Sequence, residues 1–169
     1  MARRAFDEFF ADHYDDLART LTVALADRAA AEEAAQEALT RALRRWRHVR
    51  ALDRPAAWLY VVAMNHVRDG RRRERREPQW EVELDTSTPD PSGGVATAVS
   101  VRDAITTLPA RQREAVVLRY LADLPLADVA DAMGCAVGTV KATLHQALRS
   151  LRVELEEESV RRRVEAVRL

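Results

Sequence analysis

Residues 124–151 constrain this chain more than any other stretch. Leu126, Val129, Ala130 and Met133 recur at helical spacing, Gly134 interrupts them, and Val140, Leu144, Leu148 and Leu151 start a second helical series at once. A short helix, a tight glycine turn and a second helix with one apolar side make the helix-turn-helix pattern. If the apolar side packs inward, the second helix turns Thr139, Lys141, Ala142, His145, Gln146 and Arg149 outward. Lys141, His145 and Arg149 fall on one i, i+4, i+8 line, and Gln146 carries the amide that pairs with an adenine edge in a major groove. The alternative, a hairpin that merely closes a small core, explains the glycine and the apolar series but not the polar face.

The rest of the chain suits an all-helical protein. Aromatic residues make up only 5% of its 169 residues while alanine is abundant, which favours helices packed on small side chains. A single cysteine, Cys135, allows no internal disulfide, and His13, His48, His66 and His145 are too scattered to suggest a metal site. No apolar run approaches the ~18 residues that cross a bilayer, and the N-terminus lacks a signal-peptide core, so a cytoplasmic protein without membrane attachment is expected. The net charge of +0 conceals segregation. Residues 41–76 are rich in arginine against only Asp53, Asp69 and Glu74, and residues 77–100 carry acids and no base.

Two helices are expected at about 5–26, from Phe6, Phe9, Phe10, Leu17, Leu21 and Leu25, and at about 29–47, from Leu39, Leu43 and Trp46. Asp53 is the expected cap of a third, with Pro55 in its first turn, running past Asn65 into Arg71, Arg72 and Arg73. On it Asn65, Arg68, Asp69 and Arg72 share a polar face. Trp58 falls at helical spacing with Val61 and Val62, which makes it a core residue first and a stacking surface for a base second. Pro78, Pro89, Pro91 and the Ser92-Gly93-Gly94 run mark a linker. The expected division is a first domain at 1–76, a linker at 77–98, a second domain at 99–153, and at 154–169 a charged tail, read as a helical extension or a frayed end.

Leu108-Pro-Ala-Arg-Gln-Arg-Glu-Ala-Val-Val-Leu-Arg-Tyr, followed by Gly138-Thr-Val-Lys and Leu144-His145, resembles the promoter-binding C-terminal domain of extracytoplasmic-function sigma factors, in an actinobacterial-like form. Ala31-Glu-Glu-Ala-Ala-Gln-Glu with Arg41-Ala42 resembles the family's helix for core RNA polymerase, and Trp58 to Arg73 resembles the helix that reads the opened minus-ten element. The resemblance implies an alternative sigma factor that binds core RNA polymerase and promoter DNA, and an anti-sigma partner of the kind family members often have. It implies a minus-ten contact through Trp58, Asn65, Arg68, Asp69, Arg72 and Arg73; for the arginines from Arg71 to Arg76 the charge segregation favours contact with phosphates over a merely solvated helix end. The minus-thirty-five contact falls to Thr139, Lys141, Ala142, His145, Gln146 and Arg149, and the polymerase contact to Glu33, Gln36, Glu37 and Arg41. Family members hold an unstacked base near the loop before the third helix, here about 48–53.

Ala136 stands where the family usually has a capping Ser, a loss of about 1 kcal/mol. Ala142-Thr143 and His145-Gln146 replace pairs that carry arginine, which predicts a weaker or differently specified upstream contact. Ala34-Ala35 replaces a bulky apolar pair. No phosphate-cradling glycine loop, nucleophile elbow or paired carboxylate appears, so no catalytic residue, cofactor, metal or small-molecule substrate is expected. Two further functions fit the residues: a stand-alone helix-turn-helix regulator that recruits no polymerase, and a sigma-like protein that acts mainly by binding other proteins.

Overall fold

The computed structural model describes the backbone of residues 2–74 and 96–167, and side chains over 4–74 and 101–156. The described residues are helical, with no strand among them. Helices α1 (Ala2–Leu25), α2 (Arg28–Arg44), α3 (Trp46–Val49) and α4 (Pro55–Glu74) form the N-terminal half. The C-terminal half comprises α5 (Ala96–Thr107), α6 (Ala110–Val116) with a π-helical turn at Val117–Leu121, α7 (Leu126–Met133) and α8 (Val137–Val167). The linker assigned to 77–98 lies outside the described residues up to 95. The last helix runs without a break through the tail as far as Val167.

Helix α2 begins where Asp27, in extended conformation, accepts from Ala30 N at 3.0 Å. It buries Ala31, Ala34, Ala35, Ala38 and Ala42 completely, so its backbone lies close to α1 and α4. Ala34 and Ala35 are thus packing residues. The helix expected to reach residue 47 ends at Arg44, because Arg45 leaves helical geometry at φ −114, ψ 25. That break turns Trp46 onto Phe6 and Phe9, at 5.3 and 5.0 Å between ring centroids. Leu43 is left half-exposed. Asp53 is not the helix cap: the carbonyl of Arg54, not Asp53, accepts from Trp58 N at 3.3 Å, one residue before Pro55.

In the C-terminal half, Ala122 N donates to Val117 O at 3.0 Å, the i−5 step of a π turn. The turn keeps Val117 and Leu118 fully buried while Tyr120 and Leu121 stand at the surface. Leu118→Ala is expected to cost about 2–5 kcal/mol through lost burial and the cavity it leaves. A melting point lower by roughly 5–15 °C in calorimetry would match a chain of this size.

The halves pack on each other, α1 and α4 against α6, the π turn and α7. Arg113 is one of the ties. Its guanidinium donates to Ala24 O at 3.1 Å, at the end of α1, and to Thr106 O and Leu108 O at 3.3 and 3.1 Å, at the end of α5. It thereby satisfies carbonyls that helix ends leave unpaired. Burial pushes its pKa below the usual arginine value, the nearby Glu114 carboxylate opposes that shift, and the group stays charged.

Candidate nucleic-acid interface

Helix α7 stops at Gly134, which sits in the left-handed region at φ 62, ψ 43. Gly134 N donates to Asp131 O at 3.2 Å and Cys135 N to Ala130 O at 3.0 Å, the paired bonds of a Schellman ending. The chain then re-enters a helix with Ala136 O accepting from Thr139 N and Val140 N at 2.9 and 3.2 Å. Ala136 offers no side-chain oxygen, so α8 starts on backbone bonds alone.

The packed side of α8 is Val140, Leu144, Ala147 and Leu151, not the expected series through Leu148. A 3.6-residue period selects i+3 after Leu144, and Leu148 is left 46% exposed at the edge. Thr139, Lys141, Ala142, His145, Gln146 and Arg149 are all exposed, forming one outward face. Nothing of the protein covers this face among the described residues.

Helix α4 is arranged otherwise. Trp58 is half-buried against the core with Val61 and Val62, as its spacing suggested. Asp69, Arg72 and Arg73 are exposed. Asn65 and Arg68, however, do not lie on an open face. Arg68 Nη2 donates to Asn65 Oδ1 at 2.6 Å, and Nη1 reaches across to Ala132 O on α7 at 3.1 Å. Arg71, assigned to phosphate, donates to Glu114 Oε1 at 2.9 Å instead. Arg75 and Arg76 lie outside the described residues.

On α2, Glu33, Gln36 and Arg41 are exposed and Glu37 is half-buried, one stripe beside the alanine side. Arg41 Nε donates to Glu37 Oε1 at 2.6 Å, and this bond holds the Glu37 carboxyl below its ordinary pKa. Glu33 Oε1 lies 3.2 Å from His66 Nε2 on α4. The stripe is ordered by its own pairs before any partner arrives.

Sequence reasoning missed the polar residues between the halves, Arg54, Glu114, Arg111 and Arg113. A carboxylate within the apolar series Ala115, Val117, Leu118 was the available signal, since a buried acid needs partners. Glu114 is 2% exposed and takes Arg71 on one oxygen and Arg111 on the other.

Two family patterns match the chain in this order: Sigma-70 region 2 over residues 9–77 and Sigma-70 region 4 over residues 98–151. The ECF RNA polymerase sigma factor SigL of Mycobacterium tuberculosis is 37% identical over 145 residues, covering 80% of each chain. The chain is an ECF RNA polymerase sigma factor. The RNA polymerase sigma-E factor of Streptomyces avermitilis is 33% identical over 152 residues, covering 89% of this sigma factor and 85% of that one. Among solved structures, the sigma factor RpoE in complex with the anti-sigma factor NepR from Bartonella quintana shares the fold at TM-score 0.67, with 22% identity over 90% of this chain and 98% of that one. CnrH in complex with the cytosolic domain of CnrY shares it at TM-score 0.56, with 20% identity over 92% and 90%. As a member of this family, the sigma factor binds core RNA polymerase and directs it to specific promoters.

Proposed function

We propose that the sigma factor divides promoter recognition between two helices. The outward face of α8 binds the upstream, minus-thirty-five element. The polar side of α4 takes the opened minus-ten strand. The observation that carries this reading is the α8 face, where six polar or small residues stay clear of the protein behind a glycine-terminated helix of the right geometry. Lys141 and Arg149 grip phosphates on either side of His145 and Gln146, which reach base edges. On α4, Arg68, Arg72 and Arg73 supply phosphate contacts, Asn65 and Asp69 meet exposed base edges, and Trp58 chiefly supports the helix. The Glu33, Gln36, Glu37 and Arg41 stripe docks on polymerase. The sigma factor works by binding in the cytoplasm and catalyses no reaction of its own. An anti-sigma protein is a further expected partner, supported by the complexes in which two of its structural neighbours were solved.

Run-off transcription with purified core polymerase and a genomic promoter library tests the whole reading. Promoter-specific starts are expected, together with a core complex that survives gel filtration. Their absence would leave a stand-alone regulator in its place.

Asn65→Ala isolates the opening step. Because its amide both orients Arg68 and meets the base, strand opening is expected to fall by roughly tenfold or more, the scale of one charge-assisted hydrogen bond. Duplex binding through α8 should hardly change. Permanganate footprinting of unpaired thymines measures the first quantity and electrophoretic mobility shift the second; equal losses in both would reject a role confined to the opened strand.

A further inference from the structure

Three arginines converge where α4 meets α6 and α7, and one carboxylate answers them. Arg71 donates to Glu114 Oε1 at 2.9 Å and Arg111 to Glu114 Oε2 at 3.4 Å. Arg111 also donates to Met133 O, at 3.2 Å from both terminal nitrogens, and Arg68 to the preceding carbonyl, Ala132 O, at 3.1 Å. Carbonyls at the end of α7 carry only the partial charge of a helix terminus. Among the described residues no carboxylate other than Glu114 pairs with these arginines, so three full positive charges meet one negative. The pKa of neighbouring Arg113 is lowered chiefly by burial, and further by the charge of Arg71 against the opposing pull of Glu114.

The three arginines and Glu114 line a cavity of about 40 Å³, whose other walls include Met64 and Val67. At ~10–15 Å³ for each water, that volume takes about three waters. Three oxygens of a tetrahedral anion replace such waters one for one, with the fourth at the mouth. Arg71 and Arg111 are half-exposed and open the cavity to the surface, whereas Glu114 is 2% exposed. A guanidinium carries five N–H donors on three nitrogens. Among the described residues Arg71 uses Nη1 alone, and Arg68 and Arg111 use their two terminal nitrogens, so each keeps N–H groups without a protein acceptor. Guanidiniums with donors to give engage phosphate oxygens in forked pairs.

We propose that this cavity is a phosphate pocket between the two halves, taking orthophosphate or the terminal phosphate of a nucleotide on Arg68, Arg71 and Arg111. Glu114 keeps Arg71 and Arg111 turned inward and subtracts one charge. The anion joins α4 to α6, and a ligand that binds only the joined halves stabilises them by mass action. The pocket is separate from the α8 face, and it stands whether or not α4 takes the opened strand.

Calorimetric titration of the full chain with orthophosphate, at ionic strength held constant with chloride, tests this. With a Kd on the order of 1 mM, about 10 mM phosphate is expected to raise the melting point by roughly 3–6 °C over chloride. Arg71→Met and Arg111→Met keep the apolar stem and remove the charge, and each should weaken phosphate by roughly tenfold or more. Glu114→Gln keeps the shape and removes the opposing charge, and should tighten it by roughly threefold or more. Lys141→Ala with Arg149→Ala, on α8, should bind phosphate like the parent. Far-UV circular dichroism establishes that each variant is folded.

No heat and no thermal shift beyond chloride in the parent overturns the pocket. So does an affinity that survives both arginine variants, or that falls in folded Glu114→Gln, and an affinity lost in the α8 variant moves the anion to that helix. The same titration with adenosine monophosphate separates the sources. Orthophosphate binding as well as the nucleotide supports a pocket for the free anion, and tighter binding of the nucleotide, lost with Arg71→Met and Arg111→Met, supports a pocket for a terminal phosphate.

Discussion

Gly134→Val is expected to lower the melting point by roughly 4–10 °C and to weaken upstream DNA binding at the same time. The backbone there is at φ 62, and a β-branched residue held in the left-handed region costs about 2 kcal/mol or more. For a chain of this size, each kcal/mol moves the midpoint by roughly 2–4 °C. The side chain also displaces Arg68, since its first carbon would lie 2.3 Å from Arg68 Nη1 and would push that guanidinium off Ala132 O. Gly134→Asn separates the two causes. Asparagine tolerates the left-handed backbone yet still displaces Arg68. It should recover most of the α8-dependent binding while keeping part of the thermal loss. Calorimetry and mobility shift on the three proteins measure this, and a valine variant that melts with the parent would refute the demand for glycine.

Lys141→Ala combined with Arg149→Ala is expected to weaken binding to an upstream-element duplex by roughly 100-fold or more, because each removes a charged hydrogen-bond donor worth about 1.5–3 kcal/mol. Both side chains are exposed on the outward face of α8, two turns apart, so neither loss disturbs the core. If both meet phosphates, the slope of log affinity against log salt should become shallower by about 1.8, at ~0.9 per contact. Binding isotherms over a range of sodium chloride concentrations read the slope directly. A loss of equal size at every salt concentration would move the two residues from phosphates to base edges.

The sequence made the helix-turn-helix legible because three local rules agreed there. Apolar spacing, a glycine at the turn and a polar outward face each belong to a few neighbouring residues. The same local rules misplaced Leu148, since a four-residue step and a three-residue step after Leu144 both meet apolar side chains, Leu148 and Ala147, and only the packed partner selects between them. They carried α2 through Trp46 for a similar reason: nothing near Arg45 breaks a helix, and the break is repaid by the distant rings of Phe6 and Phe9. The engagement of Arg68 and Arg71, on an α4 face whose Asp69, Arg72 and Arg73 stay exposed, needed still more remote information. Their partners are Ala132 and Glu114, 64 and 43 residues away along the chain. Periodicity separates polar from apolar sides, but says nothing about whether a polar side meets water or a carboxylate.

The five alanines that α2 buries give the N-terminal half a one-sided tolerance to change. A methyl group leaves almost nothing to remove, so truncation there opens hardly any void, and glycine costs only about 1 kcal/mol through the helix backbone. Enlargement is another matter: even one added methylene must push whole helices apart in an interior already close-packed. A larger residue at Ala31, Ala34, Ala35, Ala38 or Ala42 is therefore tolerated only with a compensating change on the helices packed against α2. The neighbouring Glu33, Gln36, Glu37 and Arg41, whose side chains point away from that seam, are free to vary with whatever surface they meet.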